Sequence, residues 1–248
     1  MSSSNNIVEG DWQSRLGILT HAPQHSAISP FRFDVIRGEY PPQLENPTKL
    51  VKLVAKDGDL EEDFIVHKYF ACHYSPVLRA AFNSDFLEGQ TQTYTIIDAT
   101  PHAVKILVEW LYTQLINTAP IEDDAVHVQQ RHLLVQLWVL GDRFLIPKLQ
   151  NLAIHALNRL IMAIGLRPGL SVEYTWAHAP VGSPLRLFFL HAHAVIGEFD
   201  WYQQNLDSVP KEFLAELLEI IGDNQGCLEE LLPNHHMTRY EVREIIEQ

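Results

Sequence analysis

Two periodicities share this chain. Apolar residues alternate with polar ones near the start, then recur at three- and four-residue spacing to the end. Phe31, Phe33 and Val35 alternate with Arg32 and Asp34, a short strand signal. Val51, Leu53 and Ala55 share one face if Leu50 to Ala55 is a strand, and Phe64 to Val66 supply its partner. Residues 48–66 thus read as a β-hairpin whose turn is KDGDLEED, Lys56 to Asp63. Thr93 to Ile97 reads as a further strand. After Thr100 the period becomes helical, with Val104, Leu107, Val108, Leu111 and Leu115 on one stripe. Leu134, Leu137, Trp138, Gly141, Phe144 and Leu145 form the next stripe, over 131–145. Pro147 opens a helix carrying Leu149, Leu152, Ala153 and Ala156. Helices over 184–202, 211–221 and 238–247 complete the pattern, the last with Thr238 and Glu241 as a capping box. Ser75-Pro76, Thr100-Pro101 and Ser183-Pro184 each set a capping hydroxyl before a proline. A hydroxyl there accepts an otherwise unpaired amide, and proline at the first helical position forgoes no needed donor.

Residues 1–46 read as an arm. Ser2 to Asn6 is polar, Trp12, Leu16 and Leu19 can share one short helical face, and Pro41, Pro42 and Pro47 interrupt regular structure. The 248 residues suffice for a core without disulfides or metals. A formal net charge of −13 argues against a binder of the nucleic-acid backbone. The stretch from Asp207 to Gln248 holds three basic and ten acidic side chains, an acidic helical surface or a docking face for a basic partner. Cys72 and Cys227 sit in no CxxC pattern. No apolar run reaches the length of a membrane span, and the first residues lack a basic start and an apolar stretch. The expectation is a soluble protein of the cytoplasm, the nucleus or both, with neither nucleic acid nor membrane as partner.

The chemistry-bearing residues do not assemble into a reactive site. Asp57, Asp59, Glu61 and Asp63 resemble the start of a calcium loop, but Glu62 replaces its glycine and Lys68 its bidentate glutamate. His21 and His25 have Pro23 between them, His191 and His193 diverge on a helix, and His235 and His236 are adjacent. HExxH, GxSxG, Walker A and GxGxxG patterns are all missing. Cys72 and His73 are neighbours and cannot face each other on a helix, so Cys72 is assigned to core packing. The expectation is a non-enzyme without cofactor or metal; a histidine-dependent metal hydrolase is the remote alternative.

The stretch FIVHKYFACHYSPVLRAAF, Phe64 to Phe82, resembles the signature of the BTB/POZ domain. FLEG (Phe86 to Gly89), YTIID (Tyr94 to Asp98) and TPHAVKILVEWLYT (Thr100 to Thr113) continue the likeness in order. LLVQLWVLGDRFLIPKLQNLAIHAL (Leu133 to Leu157) and TWAHAPVGSPLRLFF (Thr175 to Phe189) are similar to the helical blocks of fungal BTB proteins. The resemblance spans about residues 48–205. It implies an α+β fold, a small sheet with helices packed on it, followed by an α-helical C-terminal extension. The division is a flexible arm over 1–46, a BTB/POZ core over 47–122 and the extension over 123–248.

The resemblance implies a protein–protein interaction module that associates with itself or with another BTB domain and can bridge a cullin scaffold to a substrate for ubiquitin transfer. Phe86, Leu87 and Glu88 fit the family's cullin-contact triplet; the competing reading packs Phe86 on its own domain. Lys68 fits the base of the dimer groove, while Leu50 stands where a carboxylate belongs. His67, Ser75, Pro76, Trp110 and Tyr112 fit the structural signature, with His67 read as a hydrogen-bonding residue near the first helix rather than a ligand. Gly141 stands where alanine is usual, at a helix cost of about 1 kcal/mol unless another backbone approaches closely. An alternative function is a transcriptional or chromatin co-regulator working through a DNA-binding partner, since zinc-finger spacing and a basic stripe are both missing.

Overall fold

The computed structural model describes residues 46–244 except 118–123, 167–168, 198 and 225. The features expected in the arm before Asn46 lie outside the described residues. Strands β1 (Leu50–Asp57) and β2 (Leu60–His67) form an antiparallel hairpin. Helices α1 (Lys68–Tyr74), α2 (Pro76–Phe82) and the single-turn α3 (Leu87–Thr91) lead into β3 (Thr93–Ile97), which lies parallel to β1 in the order β2-β1-β3. Helix α4 (Pro101–Thr113) closes this unit. The C-terminal part is helical: α5 (Asp124–Arg143), α6 (Pro147–Ile164), α7 (Leu170–His178), α8 (Pro184–Ile196), α9 (Phe199–Gln204), α10 (Lys211–Asp223) and short 3₁₀ turns. The α+β class with a helical extension is the observed architecture.

One face of β1 builds the core. Val51, Leu53 and Ala55 point inward with Val66, and Leu78, Val104, Leu107, Trp110 and Leu111 meet them, all buried. The hairpin strands run longer than expected and the turn is only Gly58-Asp59, with Gly58 at φ 57°. Glu61, Glu62 and Asp63 therefore belong to β2 and not to the turn. Lys56 sits opposite Glu61 and Val54 opposite Asp63, and Lys52 reaches Asp63 at 2.9 Å. Cross-strand cations make a run of acids compatible with a strand, although such exposed pairs contribute under about 1 kcal/mol each.

The expected cap positions form, and two hydroxyls do more than cap. Ser75 Oγ accepts from Leu78 N–H at 3.1 Å and donates to the Phe144 carbonyl at 2.8 Å. Thr100 Oγ1 accepts from Ala103 N–H and donates to Gln136 Oε1 at 2.7 Å. Both thereby tie the strand-and-helix unit to α5 and its end. Arg143 adds a bond to the Ile97 carbonyl, and the Tyr174 hydroxyl donates to the Asp98 carbonyl.

Gly141 lies where α5 meets α6. A Cβ there would stand 2.7 Å from Gln150 Cγ and 3.3 Å from the Ile146 carbonyl oxygen. Gln150 is buried and cannot swing away freely. Gly141→Ala gains up to about 1 kcal/mol of helix propensity but overpacks the contact by about 1–3 kcal/mol. The expected result is a net loss of stability in urea denaturation; a stabilised variant would refute the close-approach reading.

Two expectations about the C-terminal helices need correction. The helix over 184–202 is split, because the backbone turns extended at Gly197 between α8 and α9. Over the described residues 238–244 the expected helix does not form. Met237–Tyr240 is a 3₁₀ turn, after which Asn151 takes both backbone groups of Val242, accepting from its N–H and donating to its carbonyl. Bonds made to α6 are not available for a helical ladder. Tyr240 is fully buried, with its hydroxyl 2.8 Å from His191 Nδ1.

His193 on α8 is also fully buried, hydrogen-bonded through Nδ1 to the Tyr202 hydroxyl. Burial first, and then the Arg131 cation, push its pKa from 6.5 down to about 3. The unfolded chain takes up this proton first, so stability is full above pH 6.5. It falls by about 1.4 kcal/mol per pH unit as the pH drops toward 3, or roughly 2 kcal/mol at pH 5. His132 and His191 shift downward too, both mainly through burial. Denaturation midpoints at neutral pH and at pH 5 should differ accordingly, and the slope should shrink in His193→Asn. Equal slopes in the two proteins would contradict the assignment.

Candidate protein-interaction surface

The segment between α2 and β3 displays Phe86, Leu87 and Glu88. Phe86 precedes α3 and is 77% exposed, Leu87 is 70% exposed, and Glu88 lies half-buried in the first turn. Phe86 therefore does not pack on its own domain. The segment is held by its own polar bonds. Ser84 Oγ donates to the Ala81 carbonyl and accepts from Phe86 N–H, and Gln90 Nε2 donates to the Asp85 carbonyl. Gln92, in the left-handed region at φ 53°, closes the turn by donating to the Gly89 and Phe82 carbonyls. A Cβ on Gly89 would lie 1.8 Å from the Ser84 carbonyl oxygen, so only glycine lets α3 come this close. Two large apolar side chains on a pinned turn beside a carboxylate have the composition of a docking anchor.

The other motif residues hold the frame. The Tyr112 hydroxyl on α4 accepts from His67 N–H at 3.0 Å and lies 2.8 Å from His67 Nδ1. The hydroxyl bridges the backbone amide and the ring of His67, the N-cap residue of α1, and so clamps the end of β2 to α4. Ser75 caps α2 with Pro76 at its first position. Trp110 is fully buried against Tyr74.

Lys68 and Leu50 lie at the open end of the hairpin. Leu50 is 49% exposed and brings no carboxylate. Lys68 Nζ donates instead to the Phe82 carbonyl, at 2.7 Å. Beside it opens a cleft of about 310 Å³. Cys72 is half-buried, packing against the core on one side and lining this cleft on the other, and burial pushes its thiol pKa up despite Lys68 and Arg79 nearby. A raised pKa disfavours the nucleophilic thiolate.

Among the described residues no three His, Cys, Asp or Glu side chains gather as a metal site, and no helix is long and apolar enough to cross a membrane. His235 and His236 are exposed, and His191 and His193 each bond a tyrosine.

Sequence reasoning missed Arg186 on α8. It is buried, donates from Nε to the Ala179 carbonyl and from Nη2 to the Trp176 carbonyl, and meets Glu216 Oε1 at 3.2 Å. Its guanidinium lies 5.2 Å from the Trp176 ring. Trp176 Nε1 donates to the same Glu216 oxygen. An arginine inside the apolar run PLRLFF was the signal available.

The strand-and-helix unit is thus a three-stranded sheet with short helices packed on it and an exposed apolar turn between α2 and β3. Residues 44–159, a span from just before β1 into α6, match the model of the BTB/POZ domain family. BTB/POZ domains are protein–protein interaction modules, through which homo- and heterodimers form, and the family is not typically enzymatic. No curated protein matches the chain.

Proposed function

We propose that this BTB protein, of the fungal type, is a substrate adaptor of a cullin-RING ubiquitin ligase that pairs with another BTB domain and works in the cytoplasm or nucleus. The organisation proposed with it is an arm over 1–46, a core over 47–122 and a helical extension over 123–248 that supplies the substrate surface. The exposure of Phe86 and Leu87 on a pinned turn beside Glu88 carries the reading. An aromatic anchor that becomes desolvated on binding is worth about 2 kcal/mol or more. Phe86→Ala combined with Glu88→Ala should reduce recovery of a cullin in pulldown by more than about tenfold, with folding unchanged because Phe86 is exposed and Glu88 only half-buried. Undiminished recovery sinks the proposal. Light scattering reads pairing separately. With Leu50 in place of a carboxylate, a dimer through the usual groove would rest on apolar contact.

A further inference from the structure

The cleft beside Lys68 carries a charge opposite to that of the chain. Lys49, Lys68 and Arg79 line it with His73, and among the described residues no Asp or Glu lines it, in a chain with 31 acidic and 18 basic residues. The cations are set by the backbone. Lys68 N–H donates to the Lys49 carbonyl at 2.9 Å, which places the two lysines side by side where the hairpin opens. Lys68 Nζ reaches the Phe82 carbonyl at the end of α2. Arg79 donates from Nε to the Cys72 carbonyl and from Nη2 to the His73 carbonyl, in the last turn of α1. Cations at helix C-termini offset the partial negative charge there, so this arrangement stabilises the fold before any partner arrives. An ammonium has three N–H donors, and Lys68 spends one on Phe82. Lys49 is exposed.

We infer that this cleft receives an acidic segment of a protein partner, with Lys49 and Lys68 each holding a carboxylate. This deepens the interaction-module reading and rests on it. The net charge of the chain does not forbid it, because the Debye length is about 8 Å at physiological salt. A carboxylate in the cleft responds to the cations that line it and little to acids elsewhere. The choice of a peptide over a compact anion rests on the lining, in which apolar side chains stand beside the cations. Tyr69 and Cys72 add apolar surface on which a peptide can lie.

The experiment is a titration of the full chain with a fluorescein-labelled deca-glutamate peptide, followed by anisotropy at low salt and by amide chemical shifts. Saturable binding is expected, with shifts confined to the start of β1, α1 and α2, and no binding of a deca-glutamine control. Lys49→Glu should weaken binding by about tenfold or more and Lys49→Gln by less; Lys49 is exposed, so both variants fold. Lys105→Glu, an exposed lysine on α4, should leave affinity within about threefold. Lack of binding, an equal loss in Lys105→Glu, or displacement of the peptide by equimolar inorganic phosphate would each overturn the assignment. Cullin recovery through Phe86 is read in a separate pulldown, so the cleft can fail while the adaptor reading stands, and the reverse.

Discussion

Arg186→Ala should lower the unfolding free energy by about 3 kcal/mol, the low end of the range for breaking a buried charge pair, because Arg186 is buried while Glu216 is partly exposed. The residue gathers three helices. It donates to the Trp176 and Ala179 carbonyls at the end of α7, and it pairs with Glu216 of α10 from its own place on α8. Truncation leaves the two carbonyls without their donors and Glu216 with Trp176 Nε1 in place of a full charge partner. Against a typical total of 5–15 kcal/mol, such a loss brings the helical extension close to unfolding. Arg186→Lys should recover less than half, because one ammonium cannot span the fork that a guanidinium covers. Urea denaturation of the three proteins measures this. A loss under about 1 kcal/mol would mean that the packing of Trp176 on Phe213 holds these helices without the charge.

Ser75→Ala should cost about 2–4 kcal/mol, more than an ordinary helix cap. Loss of the cap on Leu78 N–H accounts for about 1 kcal/mol. The Phe144 carbonyl then loses its donor at a buried site, which adds about 1–3 kcal/mol. The two effects act on different parts of the chain. The cap belongs to α2 and the carbonyl follows α5, so hydrogen exchange should quicken at both. Ser75→Thr keeps the hydroxyl and should lose less. Faster exchange at α2 alone would show that the bond to Phe144 carries no weight.

The local signals were the legible ones. Thr93–Ile97 stands as β3 because a short run of β-branched and aromatic residues has few other uses. The starts of α2, α4 and α8 were marked by a hydroxyl before proline, which acts within one turn. Glu61 to Asp63 hid the length of β2, since a run of acids reads as a turn until Lys56 is placed opposite Glu61 and Lys52 within reach of Asp63. The C-terminal turn ending at Tyr240 was unreadable for a related reason. Asn151 lies 91 residues before Val242, and its claim on that backbone outweighs a local capping pattern. The docking turn was readable as a motif, but the exposure of Phe86 was not. Lys49, Lys68 and Arg79 follow no spacing rule, and only the approach of β1, α1 and α2 brings them together.

The close seating of Gly89 against Ser84 bears on the kinetics of recognition. A turn already fixed in shape has little to rearrange when a partner arrives, so encounter should proceed at an ordinary rate of roughly 10⁵–10⁷ M⁻¹s⁻¹. Differences between good and poor partners would then be felt in how long each stays bound.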